Sequence, residues 1–152
     1  PEMLRVPLES LCLQVKAILG GPVAEHLNAA ITPPDAHAIL AAVERLRGLA
    51  AFDQEEALTP LGQHLVRMPV DPRVGKMLVF GAMLGCLSPI LTIAGAMSTG
   101  RGVFVSPREG RAEADAIRRQ LSKGTKSDHL TSAAAYAAWV KARERGGYGE
   151  QR

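Results

Sequence analysis

The stretch TPLGQHLVRMPVDPRVGKML, Thr59–Leu78, carries the starting signals of two consecutive helices. In Thr59-Pro60 and again in Asp71-Pro72, a side-chain oxygen that can accept a hydrogen bond from a free helix N–H precedes a proline, which has no N–H to satisfy. Helices are therefore predicted to begin near residues 60 and 72. No side chain in the stretch suggests catalysis.

A third pair of the same kind, Ser88-Pro89, lies downstream in a run of uncharged residues between Lys76 and Arg101. By length alone this run could cross a bilayer. The Ser-Pro pair, however, predicts a helix start in the middle of the run, near residue 89, and each resulting helix would be too short to span a membrane. We therefore predict a buried helical hairpin.

Upstream of the quoted stretch, the sequence predicts three helices and a small hairpin. Apolar residues recur at three- and four-residue steps from Pro7 to Leu19, a short helix fits PVAEHLNAAI, and Asp35 opens a third helix that runs to about Arg47. In LAAFDQEEALT, two short apolar pieces flank the polar turn Asp53–Glu56, which is typical of a β-hairpin. This order of elements indicates a winged-helix module.

Downstream, the basic loop TGRGVFVSPREGR precedes a helix predicted from Glu109 to Leu121. The polar face of this helix carries a charged ladder at i, i+4 spacing: Arg111, Asp115 and Arg119. After the linker SKGTK, a last helix is predicted to begin with Ser127 as its cap and Asp128 beside the positive end of its dipole. The fold is therefore predicted to be mainly α.

The composition agrees with a mainly α, soluble chain, because hydrophobic residues make up 47% and aromatic residues only 4%. Charge is unevenly distributed: residues 1–99 carry 7 basic and 9 acidic side chains, whereas residues 100–152 carry 11 and 6. A polyanion is expected to prefer the C-terminal third.

Cys12 and Cys86 lie in apolar segments and are expected to be buried thiols of a reducing compartment.

The common motifs of autonomous catalysis are missing from the sequence. It contains no G-x-x-x-x-G-K-[ST], H-E-x-x-H, C-x-x-C or G-x-S-x-G string, so the usual phosphate loop, metal sites and nucleophile elbow are not predicted. We expect no catalytic, cofactor-binding or metal site in this chain.

Two groups of side chains are candidates for binding nucleic acid. The first supplies cations for phosphate contacts: Arg101, Arg108, Arg111, Lys123 and Lys126. The second lies in the first turn of the last helix, where His129, Ser127 and Thr131 join free backbone N–H groups that could meet a phosphate. Each group also has an alternative explanation. The cations could lie on a solvated face, and the residues around His129 could form an ordinary helix cap with a packed histidine. Tyr136 and Trp139 are predicted to fill a core rather than to stack on bases.

Four blocks in this order, LESLCLQVKAIL, PPDAHAILAAVERLRGLAAFD, LTPLGQHLVRMPVDPRVGKMLVFGAMLGCLSPILTIAGAMS and SDHLTSAAAYAAW, resemble the region that follows the second RecA-like domain in DEAH-box RNA helicases. The resemblance covers about residues 1–145. It implies the exit from the second motor domain at 1–7, a winged-helix domain at 8–68, and a truncated part of the helical ratchet, or helicase-associated (HA2), domain at 71–152. The chain is accordingly expected to be a piece of a longer protein, in which the quoted stretch aligns the two domains.

The resemblance further implies an accessory region of an ATP-dependent 3′–5′ RNA helicase. In that family the motor domains hydrolyse ATP, while the ratchet and a C-terminal OB-fold close a channel over single-stranded RNA, so ATP and Mg²⁺ are expected only in the absent motor domains. The family's RNA-facing helix start corresponds to four positions here: Ser127, Asp128, His129 and Thr131. The usual Leu-Leu-Asn that follows is replaced by Ser132, Ala133 and Ala134, so a contact made by that Asn is not carried over.

Two other functions stay open at this point. The winged helix and its hairpin could dock an activator protein or a ribosomal partner, or the chain could be the scaffold remnant of an inactive helicase. The end of the sequence, WVKARERGGY, is similar to the tail of larger family members that act with ribosomes or on structured RNA. An intracellular location away from membranes is expected, with the cytoplasm favoured over the nucleus.

Overall fold

The computed structural model describes residues 7–100, 103–105 and 107–146. These residues form eight helices and no strand, which confirms the prediction of a mainly α fold. The helices in chain order are α1 (Leu8–Leu19), α2 (Val23–Asn28), α3 (Ala36–Gly48), α4 (Pro60–Val66), α5 (Pro72–Met83), α6 (Leu87–Ser98), α7 (Arg111–Ser122) and α8 (Asp128–Glu144). The described residues divide into two compact units, the first ending at Val79 and the second beginning at Phe80.

The first unit has a continuous hydrophobic core. Helix α1 packs against α2, α3 and α4, and α2 also packs against α3. The core consists of eleven buried residues: Cys12, Leu13, Val23, Leu27, Ile39, Ala42, Val43, Leu46, Ala51, Phe52 and Leu65. Because helices α1 and α3 and the turn after α3 all contribute to this core, its packing depends on how the chain passes from α3 into α4.

Thr59 and Gly62 join the end of α3 to the start of α4. The Thr59 hydroxyl donates to the Ala50 carbonyl at 2.6 Å and accepts from the Gly62 N–H at 3.0 Å, as the cap prediction requires. The Thr59 N–H donates to the Ala51 carbonyl at 3.1 Å. A Cβ atom on Gly62 would lie 2.2 Å from that same carbonyl oxygen, so only glycine fits here without moving the backbone.

The predicted β-hairpin is present as a turn closed by a single antiparallel bridge, Phe52 to Leu58, and not as two strands. The chain on either side is already engaged: the N–H groups of Ala51 and Phe52 both donate to the Leu46 carbonyl, and Thr59 begins the cap of α4. The flanking residues therefore cannot add further bridges to form two strands. The turn is instead attached to α2, because the Glu56 carboxylate accepts a hydrogen bond from the N–H of Val23 at 2.7 Å.

Two of the three predicted Thr/Asp/Ser-Pro helix starts are confirmed, at Pro60 and at Pro72, where Asp71 accepts from the Arg73 N–H at 2.8 Å. The third is displaced: α6 begins at Leu87, so Ser88 is not its cap and Pro89 is its third residue. A proline is tolerated there because the first N–H groups of a helix have no intrahelical partner. The prediction of two short helices in the uncharged run is confirmed, but the prediction that they are buried is wrong for Met83, Leu84 and Leu91, whose side chains are exposed.

The second unit is built around α8, which packs against both α6 and α7. Its described part buries few side chains fully, among them Ile93, Ala94 and Thr131. Helix α7 begins at Arg111, two residues later than predicted, because Gly110 before it adopts a left-handed conformation with φ of 78°. Of the helices described, none has the length and apolar character needed to cross a membrane.

The two cysteines differ in their surroundings. Cys12 is fully buried, and burial, helped by the nearby carboxylates of Glu9 and Glu56, raises the pKa of its thiol to about 11. Cys86 is only half-buried, so the prediction that both thiols are buried is wrong for Cys86. The reason is its place in the short connection between α5 and α6, where its neighbours Leu84 and Gly85 are exposed.

Replacing Gly62 with alanine is expected to lower the free energy of unfolding by about 3 kcal/mol, the upper end for an overpacked site, because the new methyl group collides with a backbone carbonyl that cannot move independently. Gly48→Ala is the matched control, since a Cβ atom there meets nothing within 4 Å. Urea unfolding followed by circular dichroism measures both. Equal stability of the two variants would contradict the account of this junction.

Thiol labelling at neutral pH is expected to modify Cys86 rapidly and to leave Cys12 unmodified in the folded protein, because the thiolate is the reactive form and Cys12 is both buried and hard to ionise. Mass spectrometry after iodoacetamide treatment counts the modified sites. Both should react in denaturant. Rapid labelling of Cys12 without denaturant would show that the first core opens readily.

Candidate nucleic-acid interface

A polar cavity of about 470 Å³ lies where α7, the linker after it and the start of α8 meet. Its lining combines three cations with two carboxylates and several hydroxyl groups: Asp115, Arg118, Arg119, Ser122, Thr125, Lys126, Ser127, Asp128 and Thr131. We call this the corner cavity. Its side chains suit an anion that also offers hydrogen-bond acceptors, which describes a phosphate of a nucleic acid.

Arg118 is a cation of the corner cavity whose orientation is fixed by two contacts. Its Nη2 donates to the Asp128 carboxylate at 2.8 Å, and its guanidinium carbon lies 4.9 Å from the centroid of the Phe104 ring. The ion pair joins α7 to the first turn of α8, and the ring contact joins α7 to the preceding loop. Arg118 is therefore held in a defined orientation at the wall of the cavity.

The start of α8 is built as predicted. The Ser127 hydroxyl accepts from the Leu130 N–H at 3.3 Å, and Asp128 occupies the first turn. Thr131 is only 3% exposed, and its hydroxyl donates to the Ser127 carbonyl at 2.8 Å. The described contacts of Thr131 thus stabilise the helix start.

Of the residues predicted to bind RNA, the structure brings four together in the corner cavity: Lys126, Ser127, Asp128 and Thr131. Four other described candidates do not line it. Arg111 begins α7 and lines a smaller cavity with Phe104, and Lys123, directly after α7, lines a separate cavity with Ile117 and Lys141. Arg108 lies exposed in the loop before α7, and His129 is exposed on α8. Arg101 lies outside the described residues.

Arg118 was not among the predicted site residues. Arg111, Asp115 and Arg119 are exposed, as expected for a solvent-facing side of α7, but within the described ranges no ion pair joins them. Asp115 and Arg119 also line the corner cavity. The ion pair that does form links Arg118 to Asp128 on another helix. Spacing along one helix cannot reveal such a pair, and the double arginine in AIRRQL was the only available signal.

The prediction that Tyr136 and Trp139 fill a core is wrong for the described structure. Tyr136 is 51% exposed and lines an apolar groove of about 530 Å³ with Leu91 of α6, while Trp139 is 40% exposed. The two rings are 5.7 Å apart, and the Arg143 guanidinium lies 5.0 Å from the Trp139 ring centroid. They form an aromatic pair on one face of α8, outside the corner cavity.

Among the described residues, no three or more His, Cys, Asp or Glu side chains are grouped so that they could hold a metal ion. The carboxylates of the corner cavity, Asp115 and Asp128, are accompanied by three cations, which suits anion binding better than metal binding.

Two family profiles match the chain. The winged-helix part of the helicase associated domain (HA2) matches residues 42–70, and the ratchet-like part of the same domain matches residues 71–132. The second match includes the whole lining of the corner cavity.

Curated relatives resemble almost the entire chain. It is 49% identical to the ATP-dependent DNA/RNA helicase DHX36 of Bos taurus over 146 residues, which are 96% of this chain and 14% of that protein. It is 43% identical to the DExH-box ATP-dependent RNA helicase DExH3 of Arabidopsis thaliana over 97% of this chain and 12% of that protein. It is 47% identical to the human ATP-dependent RNA helicase DHX29 over 97% of this chain and 11% of that protein. The chain therefore spans about one-eighth of the length of these relatives.

Replacing Thr131 with valine is expected to lower the free energy of unfolding by about 1 kcal/mol, because the isosteric side chain removes the hydrogen bond to Ser127 inside a buried site. Affinity for single-stranded RNA should stay within twofold. The control is Ser132→Ala, which removes a similar but exposed bond to the Asp128 carbonyl and should be near neutral. A large loss of RNA affinity in a stable Thr131→Val variant would instead indicate a direct contact.

Proposed function

We infer the function from the family to which this chain belongs, the helicase-associated (HA2) winged-helix and ratchet-like region of DEAH-box RNA helicases. We propose that the chain guides single-stranded RNA past the corner cavity and links the motor domains of the same protein to that RNA. The observation that carries this proposal is the corner cavity itself, where Arg118, Arg119 and Lys126 converge on the capped start of α8. Its lining has a net charge of only +1, so RNA binding by the isolated chain is weak.

For the whole protein we propose ATP-dependent 3′–5′ RNA helicase activity, because each of the three relatives above is named as an ATP-dependent helicase. On this proposal, ATP and Mg²⁺ bind to RecA-like domains upstream, and an OB-fold follows downstream. Residues 8–68 form the winged-helix domain, and the ratchet begins at residue 71. An intact GKT and DEAH string upstream would support the proposal, and decayed motifs would indicate an inactive scaffold. The proposed location is intracellular, with the cytoplasm favoured.

A second candidate is a protein-docking module that recruits an activator or a ribosomal partner through the first unit. Exposed apolar side chains on that unit favour it: Ile18, Leu19, Ile31 and Leu40. The two functions respond differently to salt, since phosphate binding weakens steeply as salt is added and apolar contacts do not.

Reversing Arg119 and Lys126 together, as Arg119→Glu and Lys126→Glu, is expected to weaken binding of a fluorescent 12-nucleotide RNA at least tenfold at low salt. Fluorescence anisotropy measures the affinity. Reversal of Arg108 and Lys123 should have a smaller effect, because neither lines the corner cavity.

The matched control is the double reversal Arg67→Glu and Arg73→Glu, which makes the same charge change at two exposed positions of the first unit. It should alter affinity less than threefold. If both double variants lose affinity equally, net charge alone governs binding and the corner cavity is not the site.

A further inference from the structure

We propose that Arg118 binds an RNA phosphate by exchanging its ion pair with Asp128, so that Asp128 limits the affinity of the corner cavity for RNA. This inference rests on the proposed function and adds to it a named phosphate ligand and a built-in competitor. The Arg118 guanidinium makes two contacts of different kinds, an ion pair and a contact with an aromatic ring. The Asp128 carboxylate accepts from an N–H in the plane of the guanidinium, whereas the Phe104 ring lies against it at 4.9 Å.

The ion pair with Asp128 is suited to exchange. The Asp128 side chain is 83% exposed and that of Arg118 is 45% exposed, so water screens their attraction and can replace either partner. A phosphate offers several oxygens to the planar fork of an arginine and can engage two N–H groups at once. Phosphate therefore competes favourably with a single exposed carboxylate oxygen.

The contact with Phe104 is suited to persist during the exchange. A ring face attracts the guanidinium without using the N–H groups that bind a phosphate. Arg118 and Phe104 also line a second, smaller cavity together, so the ring and the guanidinium share a surface in addition to the corner cavity. The ring thus keeps the guanidinium oriented when Asp128 is displaced.

The other charges of the corner cavity differ from this pair. Within the described part of the chain, Arg119 and Lys126 form no ion pair, so they can attract phosphate without first losing a partner. Asp115 lines the same cavity and likewise forms no ion pair among the described residues. Asp115 therefore provides a control for Asp128 that carries the same charge in the same cavity and makes no ion pair with Arg118.

The test compares Asp128→Asn with Asp115→Asn in the 152-residue chain, using anisotropy with single-stranded RNA. Asp128→Asn is expected to raise RNA affinity about three- to fivefold, the range of a released surface ion pair, and Asp115→Asn less than twofold. Equal gains would overturn the inference, because they would reflect only the loss of negative charge. If the unaltered chain binds no RNA at low salt, the proposed function fails and the inference fails with it.

A double-mutant cycle with Arg118→Gln then shows whether Asp128 acts through Arg118. Arg118→Gln alone should weaken binding and reduce the slope of log affinity against log salt by about 0.7, the loss of one phosphate contact on a single strand. In the Arg118→Gln background, Asp128→Asn should raise affinity less than twofold, as Asp115→Asn does, because only the general loss of negative charge then remains. A persisting three- to fivefold gain, or an unchanged salt slope, would overturn the inference while leaving RNA binding intact.

Arg118→Lys supplies an independent measurement if Asp128→Asn destabilises the start of α8. Lysine keeps the positive charge but lacks the planar fork, so affinity is expected to fall at least threefold. Affinity equal to that of the unaltered chain would show that charge suffices at this position, and it would overturn the exchange. Circular dichroism of each variant confirms that the fold is retained.

Discussion

The close approach of Gly62 to the carbonyl oxygen of Ala51 is the constraint on which the first unit depends. At this point the end of α3, the turn that follows and the start of α4 meet within a few ångströms, and Thr59 bonds to Ala50, Ala51 and Gly62. A larger residue at position 62 would separate α4 from the turn that carries Ala51 and Phe52 into the core. The core beneath α1 is therefore organised by backbone contacts as much as by apolar side chains.

The second unit is organised differently. It buries few side chains and exposes many large apolar ones on α5, α6 and α8, including Met83, Leu91 and Trp139. Its described polar contacts concentrate instead where α7 meets α8, through the Arg118–Asp128 pair and the Ser127 cap. The side chains that stabilise this unit therefore also line the candidate binding site. For each substitution at the corner cavity, both the stability of the variant and its RNA affinity must be measured.

Sequence alone could predict the parts of the structure that local chemistry determines. The caps at Asp35, Thr59 and Ser127 need only a side-chain oxygen and the first N–H groups of a helix, and all three were correct. The predicted hairpin is reduced to one bridge because the backbone on either side of it is already hydrogen-bonded, to the Leu46 carbonyl on one side and through the Thr59 N–H on the other. The Arg118–Asp128 pair could not be predicted, because it depends on how α7 and α8 pack. Four of the nine residues that line the corner cavity could thus be predicted from the sequence, whereas the ion pair that orients Arg118 could not.

Whether RNA passes the corner cavity can be determined by photocrosslinking. A single-stranded RNA carrying 4-thiouridine would be irradiated with the chain and the crosslinked peptides mapped by mass spectrometry. If RNA passes the corner cavity, crosslinks are expected within residues 115–131, concentrated where α7 meets α8. Crosslinks confined to residues 7–79, with none in the second unit, would contradict it.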